Sequence, residues 1–298
     1  MTEVLRVGFA GIGRMGRPQA ANIAKAGFPL TVWNRTRSKA EDLAAETGAT
    51  VAATPAGLAG CDVIITMMAD WPSTELVYAG PDGLLGALTP GKLCVDMSTL
   101  SPAQVHSLAE RAAAKGAAFL DCPVSGSLAL ATAGTLTLMV GGDAATLERV
   151  RPILATMGSR IYHMGEIGTG ATVKLAVNSI IFSLGEAVSE ALVLAERAGI
   201  ARSTAYEVFA NSAISAPFVQ YRREAYERPG EIPVALRMVL AIKDLDLALA
   251  LAQEVGSPMP QAQLNRGIYQ QAVTAGYADH DMSAVAEYFR RKAEQPTS

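Results

Sequence analysis

The first half of the chain alternates short apolar runs with longer runs rich in Ala, Glu and Lys. The apolar runs predict strands at Val4–Ala10, Leu30–Trp33, Asp62–Met68, Leu93–Asp96, Ala118–Cys122 and Leu136–Gly141. Between them, Ser38–Thr47 and Pro102–Lys115 are predicted helices, and strand-like runs fade after about residue 163. This alternation predicts a mostly parallel sheet with helices on both faces.

From Gly165 onward the apolar residues recur at the spacing of an α-helix. They predict one helix of roughly 25 residues that ends near Ala198, with apolar positions at Val173, Val177, Ile180, Ile181, Leu184, Val188, Ala191, Leu192 and Ala195. Its apolar arc is wide, so we expect neighbouring helices to cover it. Further helices are predicted at Ser203–Ser212, Val234–Val255, Met259–Ala275 and Ala284–Glu294. The chain therefore divides into a predicted α/β domain at residues 1–164 and an all-α domain at 165–298, led by a long interdomain helix.

Composition narrows the class of protein. The chain has 298 residues, of which 50% are hydrophobic and 18% charged, and its formal net charge is −3. That charge gives no reason to expect nucleic acid or an anionic membrane as a partner. No run of about 18 uninterrupted apolar residues and no secretory signal pattern is present, so we expect a cytoplasmic protein. The three cysteines lack metal-ligand spacing and are predicted to be buried, reduced thiols: Cys61, Cys94 and Cys122.

A glycine-rich motif lies between the first predicted strand and a helix, inside a unit of βαβ size. It reads Gly11, Ile12, Gly13, Arg14, Met15 and Gly16. Glycines at this spacing allow a tight turn, close approach of the backbone to a pyrophosphate, and close packing of helix on strand. The helix N-terminus then offers free amides to the phosphates. We therefore predict a Rossmann-like dinucleotide site; the alternative is an ordinary glycine-rich turn.

The end of the second predicted strand indicates which dinucleotide is bound. Versions that bind NAD usually carry an acidic residue here, which accepts hydrogen bonds from the ribose 2′-hydroxyl. This chain has the neutral Asn34 followed by Arg35 and Thr36, with Arg37 close behind. A guanidinium group forms charge-assisted bonds with a 2′-phosphate, whereas a carboxylate would repel it. The sequence favours NADP over NAD, unless the arginines are ordinary surface charges.

Three groups of polar residues are candidates for the chemistry. Lys174 and Asn178 lie four residues apart and so share one face of the long helix, where lysine could give a proton to a nascent alkoxide. The loop Ser125, Gly126 and Ser127 follows a strand and could cradle a carboxylate with its hydroxyl and amides. Lys243 lies in a largely apolar helix. A solvated helix face or a simple turn is the alternative for each group.

The motifs as a set resemble the β-hydroxyacid dehydrogenase family, and they occur in the family's order. They are GFAGIGRMG at the start, DMSTLSP at 96–102, DCPVSGS at 121–127, AGTLTLMVGGD at 133–143, GTGATVKLAVN at 168–178 and KDLDLAL at 243–249. The resemblance covers nearly the whole chain. It implies a Rossmann-like domain joined by a long helix to a helical domain.

The resemblance also implies roles for single residues. Lys174 matches the family's catalytic lysine, and Asn178 matches the asparagine that orients the substrate. Ser125 and Gly126 match the loop that holds the substrate carboxylate. Positions that touch the nicotinamide half of the cofactor are matched by Met68, Ala69 and Thr99, and a lysine that closes the cleft is matched by Lys243.

Two departures from the family pattern concern the substrate. Ser127 replaces a glycine that many relatives have, and Leu128 and Leu130 after it are bulkier than usual. Val234 stands where many relatives carry a phenylalanine that lines the cleft. These positions leave the acid-binding geometry and the identity of the substrate open.

The resulting prediction is an NADPH-dependent enzyme that reversibly reduces a small aldehyde or keto acid to a hydroxyacid. Glyoxylate and succinic, tartronate and methylmalonate semialdehydes remain open as substrates. An imine reductase is the first alternative, although that class generally has Asp or Tyr at the position of Lys174. A non-catalytic NADP-binding module is the second, and a 6-phosphogluconate dehydrogenase would need a longer helical domain. We also predict a homodimer or homotetramer formed through the helical domains.

Overall fold

The computed structural model describes residues 4–294. These residues form two compact units that divide between Lys174 and Leu175. The division falls inside one helix, α8 (Thr169–Arg197), which begins in the first unit and continues into the second. The domain boundary at 164/165 expected from the sequence stays a prediction.

The first unit is built on a nine-stranded sheet. Its strands are β1 (Val7–Ala10), β2 (Leu30–Trp33), β3 (Thr50–Val51), β4 (Val63–Thr66), β5 (Leu93–Asp96), β6 (Ala118–Asp121), β7 (Val124–Ser125), β8 (Leu136–Gly141) and β9 (Gly158–Gly165). The strand order is β3-β2-β1-β4-β5-β6-β8-β7, with β9 paired to β8. The pairs from β3 through β6 are parallel, whereas β8 runs antiparallel to β6 and β7.

Helices connect the strands of this sheet. They are α1 (Gly16–Lys25), α2 (Arg37–Thr47), α3 (Trp71–Ala79), α4 (Leu84–Ala87), α5 (Pro102–Ala113), α6 (Leu128–Thr132) and α7 (Ala144–Leu154), with a 3₁₀ turn at Pro55–Gly60. Successive strand residues enter two separate hydrophobic clusters: Val63 and Ile65 belong to one and Ile64 to the other. Since side chains alternate across a strand, the sheet is covered on both faces, as the continuous apolar runs predict.

The direction of the chain reverses beside β1. From β1 the chain passes to β2 and β3 on one side, and then returns to β4 on the other side. In a parallel sheet, ligands bind at the carboxyl ends of the strands that flank such a reversal. Here those ends are Ala10 of β1 and Thr66 of β4, which are paired in register.

The second unit is entirely helical. Besides the greater part of α8, it contains α9 (Arg202–Ala210), α10 (Pro217–Glu227), α11 (Met238–Glu254), α12 (Pro260–Ala272) and α13 (Val285–Glu294), with short helical turns at Val273–Tyr277 and Met282–Ala284. Its core is rich in aromatic side chains, and Tyr206, Tyr226, Tyr269 and Phe182 are fully buried. The fold class expected from the sequence is confirmed.

Length and composition alone would allow α8 to cross a membrane. Four of its polar residues are buried within the protein: Asn178, Ser179, Glu186 and Ser189. The core helix of a globular protein passes the same test of length and hydropathy, so the test is weak evidence for a membrane span.

Several elements were missed by the sequence patterns. The strands β3, β7 and β9 were not predicted, because β3 and β7 have two residues each and β9 exposes most of its side chains. The helix α10 was also missed, since it begins with a proline and its sequence is rich in Arg and Glu. The helix α11 begins at Met238, four positions after the expected start at Val234.

The three cysteines are free and buried, as predicted. Burial raises the pKa of Cys94 to about 12, and it raises the pKa of Cys122 further still. Thiols held in the protonated form are poor nucleophiles. These cysteines therefore serve as small core residues.

Candidate functional site

The glycine-rich turn after β1 has the shape that a pyrophosphate needs. Gly11 has a φ of +103°, and a Cβ at this position would lie 2.2 Å from the carbonyl oxygen of Met67. A Cβ on Gly16 would lie 1.9 Å from the carbonyl oxygen of Gly11. A Cβ on Gly13, by contrast, would meet nothing within 4 Å. The turn is thus closely packed on its inner side and open at Gly13, just before α1, which fits a dinucleotide phosphate at the helix N-terminus.

The side chain of Asn34 joins this turn to the end of β2. Its Oδ1 accepts a hydrogen bond from the amide of Ile12 at 3.0 Å, and its Nδ2 donates one to the carbonyl oxygen of Thr36 at 2.9 Å. The amide of Gly11 donates to the carbonyl oxygen of Trp33 at 2.9 Å. An amide side chain offers an acceptor oxygen and a donor nitrogen at once, whereas an ionised carboxylate can only accept. Asn34 therefore fixes the two loops that would hold the pyrophosphate and the adenosine ribose.

The two arginines after Asn34 differ in their surroundings. Arg37 forms an ion pair with Glu41 at 2.7 Å on the exposed face of α2. Arg35 is exposed and, within residues 4–294, its side chain forms no ion pair or hydrogen bond. The guanidinium group of Arg35 is therefore available to bind a phosphate, whereas that of Arg37 is paired with Glu41.

A chain of hydrogen bonds holds the turn after β4, which contains Met68 and Ala69. The amide of Met68 donates to Oγ of Ser98 at 2.9 Å, and the amide of Ser98 donates to Oδ1 of Asp96 at 3.0 Å. Oδ2 of Asp96 accepts from Oγ1 of Thr66 at 2.5 Å and from Oγ of Ser98 at 3.3 Å. One carboxylate at the end of β5 thus supports the turn after β4 and the segment that leads to Thr99.

Asp96 is almost completely buried, with 1% of its surface exposed. Burial raises its pKa to about 6, although the hydrogen bonds from Thr66 and Ser98 act in the opposite direction. Asp96 was not among the predicted site residues. The signal in the sequence was an acidic residue at the end of a fully apolar strand.

The loop predicted to hold a carboxylate follows β7. Ser125 is half-buried, and Gly126 has a φ of +144° that a residue with a side chain rarely adopts. Oγ of Ser127 accepts a hydrogen bond from the amide of Leu130 at 3.3 Å and so caps α6. Ser127 is therefore the N-cap of a short helix, in which Leu128 is 40% exposed beside the loop.

The helix that carries Lys174 is anchored at its start. Oδ1 of Asp121 accepts a hydrogen bond from the amide of Gly168 at 2.8 Å, and Oδ2 accepts one from the amide of Ala171 at 2.7 Å. Lys174 follows Ala171 by three residues, which is about one helical turn. Its side chain is half-buried. Asp121 is part of the motif DCPVSGS, but it is not among the site residues that the sequence predicts.

Within the second unit, one buried carboxylate joins two predicted site residues. Nδ2 of Asn178 donates to Oδ2 of Asp244 at 2.7 Å, and Nζ of Lys243 lies 2.8 Å from Oδ1 of the same carboxylate. Asn178 is 6% exposed and Asp244 is 5% exposed. The polar face at Asn178 is therefore not a solvated helix surface, and Asp244 is a further residue that the sequence did not reveal.

Of the histidines, His163 lies on an edge strand, whereas the ring of His106 lies beside the start of α8, since a Cβ on Gly168 would be 3.0 Å from its Nε2. Nε2 of His163 lies 2.7 Å from the carbonyl oxygen of Gly142 on the edge strand β9, and His106 is exposed on α5. In the part of the chain from residue 4 to 294, no cluster of three or more His, Cys, Asp or Glu side chains could hold a metal ion. The hydrogen bonds described above lie at the glycine-rich turn, at the ends of β4, β5 and β6, and between α8 and α11.

Comparison with known proteins gives two matched regions. Residues 6–165 match the NAD binding domain of 6-phosphogluconate dehydrogenase. Residues 168–289 match the NAD-binding domain of NADP-dependent 3-hydroxyisobutyrate dehydrogenase. Together they cover most of the chain, including every residue of the candidate site.

Single relatives agree with the matched regions. Glyoxylate/succinic semialdehyde reductase 2 of Arabidopsis thaliana is 36% identical over 282 residues, which are 94% of this chain and 78% of that protein. The crystal structure of 3-hydroxyisobutyrate dehydrogenase from Salmonella typhimurium has a TM-score of 0.89 at 28% identity and covers 96% of this chain and 100% of that one. An imine reductase from Myxococcus stipitatus covers 95% of this chain and 99% of its own at 22% identity and a TM-score of 0.62, which indicates a shared fold alone.

The chain belongs to the β-hydroxyacid dehydrogenase family. It is an oxidoreductase that uses a nicotinamide coenzyme and reversibly reduces a small carbonyl compound to a hydroxyacid. The family and the reaction expected from the sequence are confirmed. The roles of the individual site residues, the cytoplasmic location and the partners stay predictions.

Proposed function

We propose that this enzyme uses NADPH to reduce a small semialdehyde bearing a carboxylate, and that Lys174 donates the proton. The observation that carries this proposal is the buried bond between Asn178 and Asp244. Asn178 lies one helical turn after Lys174, on the same face of α8. Asn178 is buried and its amide is oriented by a carboxylate, as a substrate-orienting residue requires.

The preference for NADPH rests on the loop after β2. Asn34 is neutral, and its side chain is occupied in joining two backbone segments. Arg35 next to it is exposed, and its guanidinium can form charge-assisted bonds to a 2′-phosphate. A carboxylate that would accept from the ribose 2′-hydroxyl of NADH is absent from positions 34–36.

A nicotinamide coenzyme held at the glycine-rich turn and the loop after β2 would supply the hydride for the carbonyl carbon of the aldehyde. The ammonium group of Lys174 gives a proton to the carbonyl oxygen, so that an alcohol forms, and the resulting amine takes a proton from water. In the reverse direction the neutral amine removes the hydroxyl proton. Such general acid–base catalysis contributes about 10²- to 10⁴-fold in rate.

The substrate carboxylate binds the loop at Ser125 and Gly126 in this proposal. The Ser125 hydroxyl and the amides of the loop donate hydrogen bonds to it. Because Ser127 caps α6, the loop ends in a short helix with Leu128 and Leu130 exposed. We infer a chain of a few methylene groups between the carboxylate and the aldehyde, as in succinic semialdehyde, rather than a substrate with further polar groups.

The enzyme is proposed to act in the cytoplasm as a homodimer or homotetramer, with neither nucleic acid nor a membrane as partner. In the helical unit, α8 leaves Ile180 67% exposed and Leu194 72% exposed. We infer that these two exposed side chains belong to the surface through which the helical units of two copies pair. Sedimentation at micromolar protein should give a mass of two or four chains, and a monomer would contradict this assignment.

A substrate panel tests the proposed reaction. Initial rates are measured with succinic semialdehyde, glyoxylate, tartronate semialdehyde, methylmalonate semialdehyde and a cyclic imine, each with NADPH and with NADH. We expect the highest kcat/KM for succinic semialdehyde with NADPH. Turnover of the imine above every aldehyde would assign the chain to imine reduction. Coenzyme binding without turnover of any compound would favour a binding module.

A further inference from the structure

Asp121 binds the start of α8 through backbone amides. Its two carboxylate oxygens accept from Gly168 and Ala171 at 2.8 and 2.7 Å, and only 1% of the residue is exposed. A helix leaves its first amides without partners, and its N-terminus carries a partial positive charge. A buried carboxylate from another element accepts hydrogen bonds from these amides and offsets the partial positive charge. Asp121 therefore fixes the position and direction of the first turn of α8.

Two glycines make room for this carboxylate. A Cβ on Gly141 would lie 2.3 Å from Oδ1 of Asp121, and a Cβ on Gly170 would lie 2.8 Å from Oδ2. Gly168, which donates to Oδ1, has a φ of +87°. The glycines that precede Lys174 in the sequence therefore have a specific function: they allow a carboxylate from β6 to reach the helix backbone.

The same residue leads into the predicted carboxylate loop. Asp121 is the last residue of β6, and after the buried Cys122 and Pro123 the chain forms β7, which ends at Ser125. The loop and the first turn of α8 are thus both connected to one buried residue, Asp121. The loop follows it along the backbone, and the helix is bound by two hydrogen bonds to its side chain.

We propose that Asp121 is a positioning residue, which fixes Lys174 relative to the loop at Ser125 and Gly126 by capping the first turn of α8. This inference rests on the proposed role of Lys174 as proton donor. Asp121 acts through the helix backbone and does not itself exchange a proton with the substrate. Since a misplacement of about 1 Å can cost roughly 10²-fold in rate, loss of the cap is expected to slow turnover.

The test uses Asp121→Asn, with Asp143→Asn as a matched control. Asp143 also caps a helix in the first unit, since its Oδ2 accepts from the amide of Thr146 at 2.7 Å, but it lies at α7. An asparagine at 121 keeps one acceptor and turns an NH₂ group toward the second amide. Burial raises the pKa of Asp121, so a neutral amide relieves a cost of desolvation and the variant should fold. Asp121→Ser, which offers a single acceptor, provides a second variant.

Hydrogen exchange of the full chain without coenzyme reports the cap directly. In Asp121→Asn we expect the amides of residues 168–174 to exchange at least about tenfold faster, with little change at 144–147. In Asp143→Asn the pattern should be the reverse. Unchanged protection at 168–174 in both Asp121 variants would overturn the inference, whatever the activity of the enzyme.

A double-mutant cycle connects the cap to Lys174. With succinic semialdehyde and NADPH, Asp121→Asn should lower kcat about 10- to 100-fold and leave the Kd of NADPH unchanged. In a Lys174→Ala background the same substitution should have no further effect. An equal loss in both backgrounds would show that Asp121 does not act through Lys174. Near-wild-type turnover of Lys174→Ala alone would instead overturn the proposed proton donor, while the exchange result would still report the cap.

Discussion

The amide of Ile12 in the glycine-rich turn donates a hydrogen bond to the side-chain oxygen of Asn34 at the end of β2. The same side chain donates to the carbonyl oxygen of Thr36. An aspartate at this position could keep the first bond but not the second, and it would add a negative charge beside the ribose loop. Binding of a 2′-phosphate would then be weakened in two ways. The loop at Thr36 would lose its hydrogen bond, and the carboxylate would repel the phosphate.

We therefore predict that Asn34→Asp shifts the coenzyme preference toward NADH. The ratio of kcat/KM for NADPH to that for NADH should fall at least about tenfold, since a change of about 1.4 kcal/mol in relative binding gives that factor. Steady-state kinetics with both coenzymes measures the ratio. An unchanged ratio would mean that position 34 has no influence on recognition of the 2′-phosphate.

Arg35 and Arg37 offer a paired test of the same assignment. Arg35→Ala should raise the KM for NADPH about 10- to 100-fold with little effect on NADH, because a hydrogen bond to a charged group contributes about 1.5–3 kcal/mol. Arg37→Ala removes a guanidinium that is paired with Glu41, and it should leave both constants near the wild-type values. Equal losses for NADPH and NADH in Arg35→Ala would contradict binding of the 2′-phosphate by this residue.

Asp96 gives a prediction for stability against pH. Burial raises the pKa of its carboxyl to about 6 from an ordinary value of 3.8, so the folded state holds the proton more tightly than the unfolded chain. The resulting stabilisation is complete below about pH 4 and is lost as the pH rises through about 6. Asp96→Asn does not titrate and so has no such loss.

Between pH 5 and pH 8, the free energy of unfolding of Asp96→Asn relative to the wild type should therefore rise by about 1–2 kcal/mol. Chemical denaturation at the two pH values measures this difference. The control is Asp143→Asn, because the hydrogen bonds from Thr146 lower the pKa of Asp143 and its titration lies below this range. A relative free energy that stays constant or falls for Asp96→Asn would show that the carboxyl is already ionised at pH 5.

Asp244 is expected to orient both Asn178 and Lys243. Asp244→Asn removes the charge 2.8 Å from Nζ of Lys243 and weakens the acceptor that fixes the amide of Asn178. We predict a fall of about 10- to 100-fold in kcat/KM for the aldehyde. Asp246→Asn on the same helix breaks only an exposed pair with Arg266 and should behave as the wild type. Equal activity of the two variants would show that Asp244 does not orient the residues that bind the aldehyde.

The sequence predicted the parts of the fold that depend on local pattern. The glycine motif, the apolar runs of β1, β2, β4, β5 and β6, and the helical period of α8 are each readable within one segment. The short strands β3 and β7 and the exposed β9 carry too little apolar pattern, because their pairing depends on a partner strand rather than on their own residues.

The acidic residues that support the site could not be predicted from spacing. Asp121 bonds to backbone amides 47 and 50 residues away, and Asp244 bonds to a side chain 66 residues away. Such contacts exist only after the chain has folded. The sequence did contain a weaker signal, since Asp96, Asp121 and Asp244 each follow or interrupt an apolar segment, where an ionised side chain is costly without partners.

In the proposed reaction, Lys174 gives the proton to the substrate carbonyl. Single-turnover reduction of succinic semialdehyde by Lys174→Ala already saturated with NADPH tests this role, with Lys115→Ala in the exposed turn that follows α5 as control. We predict that the rate falls by about 10²- to 10⁴-fold, with the Kd of NADPH unchanged and Lys115→Ala at the wild-type rate. A rate for Lys174→Ala within a few-fold of the wild type would show that another group supplies the proton.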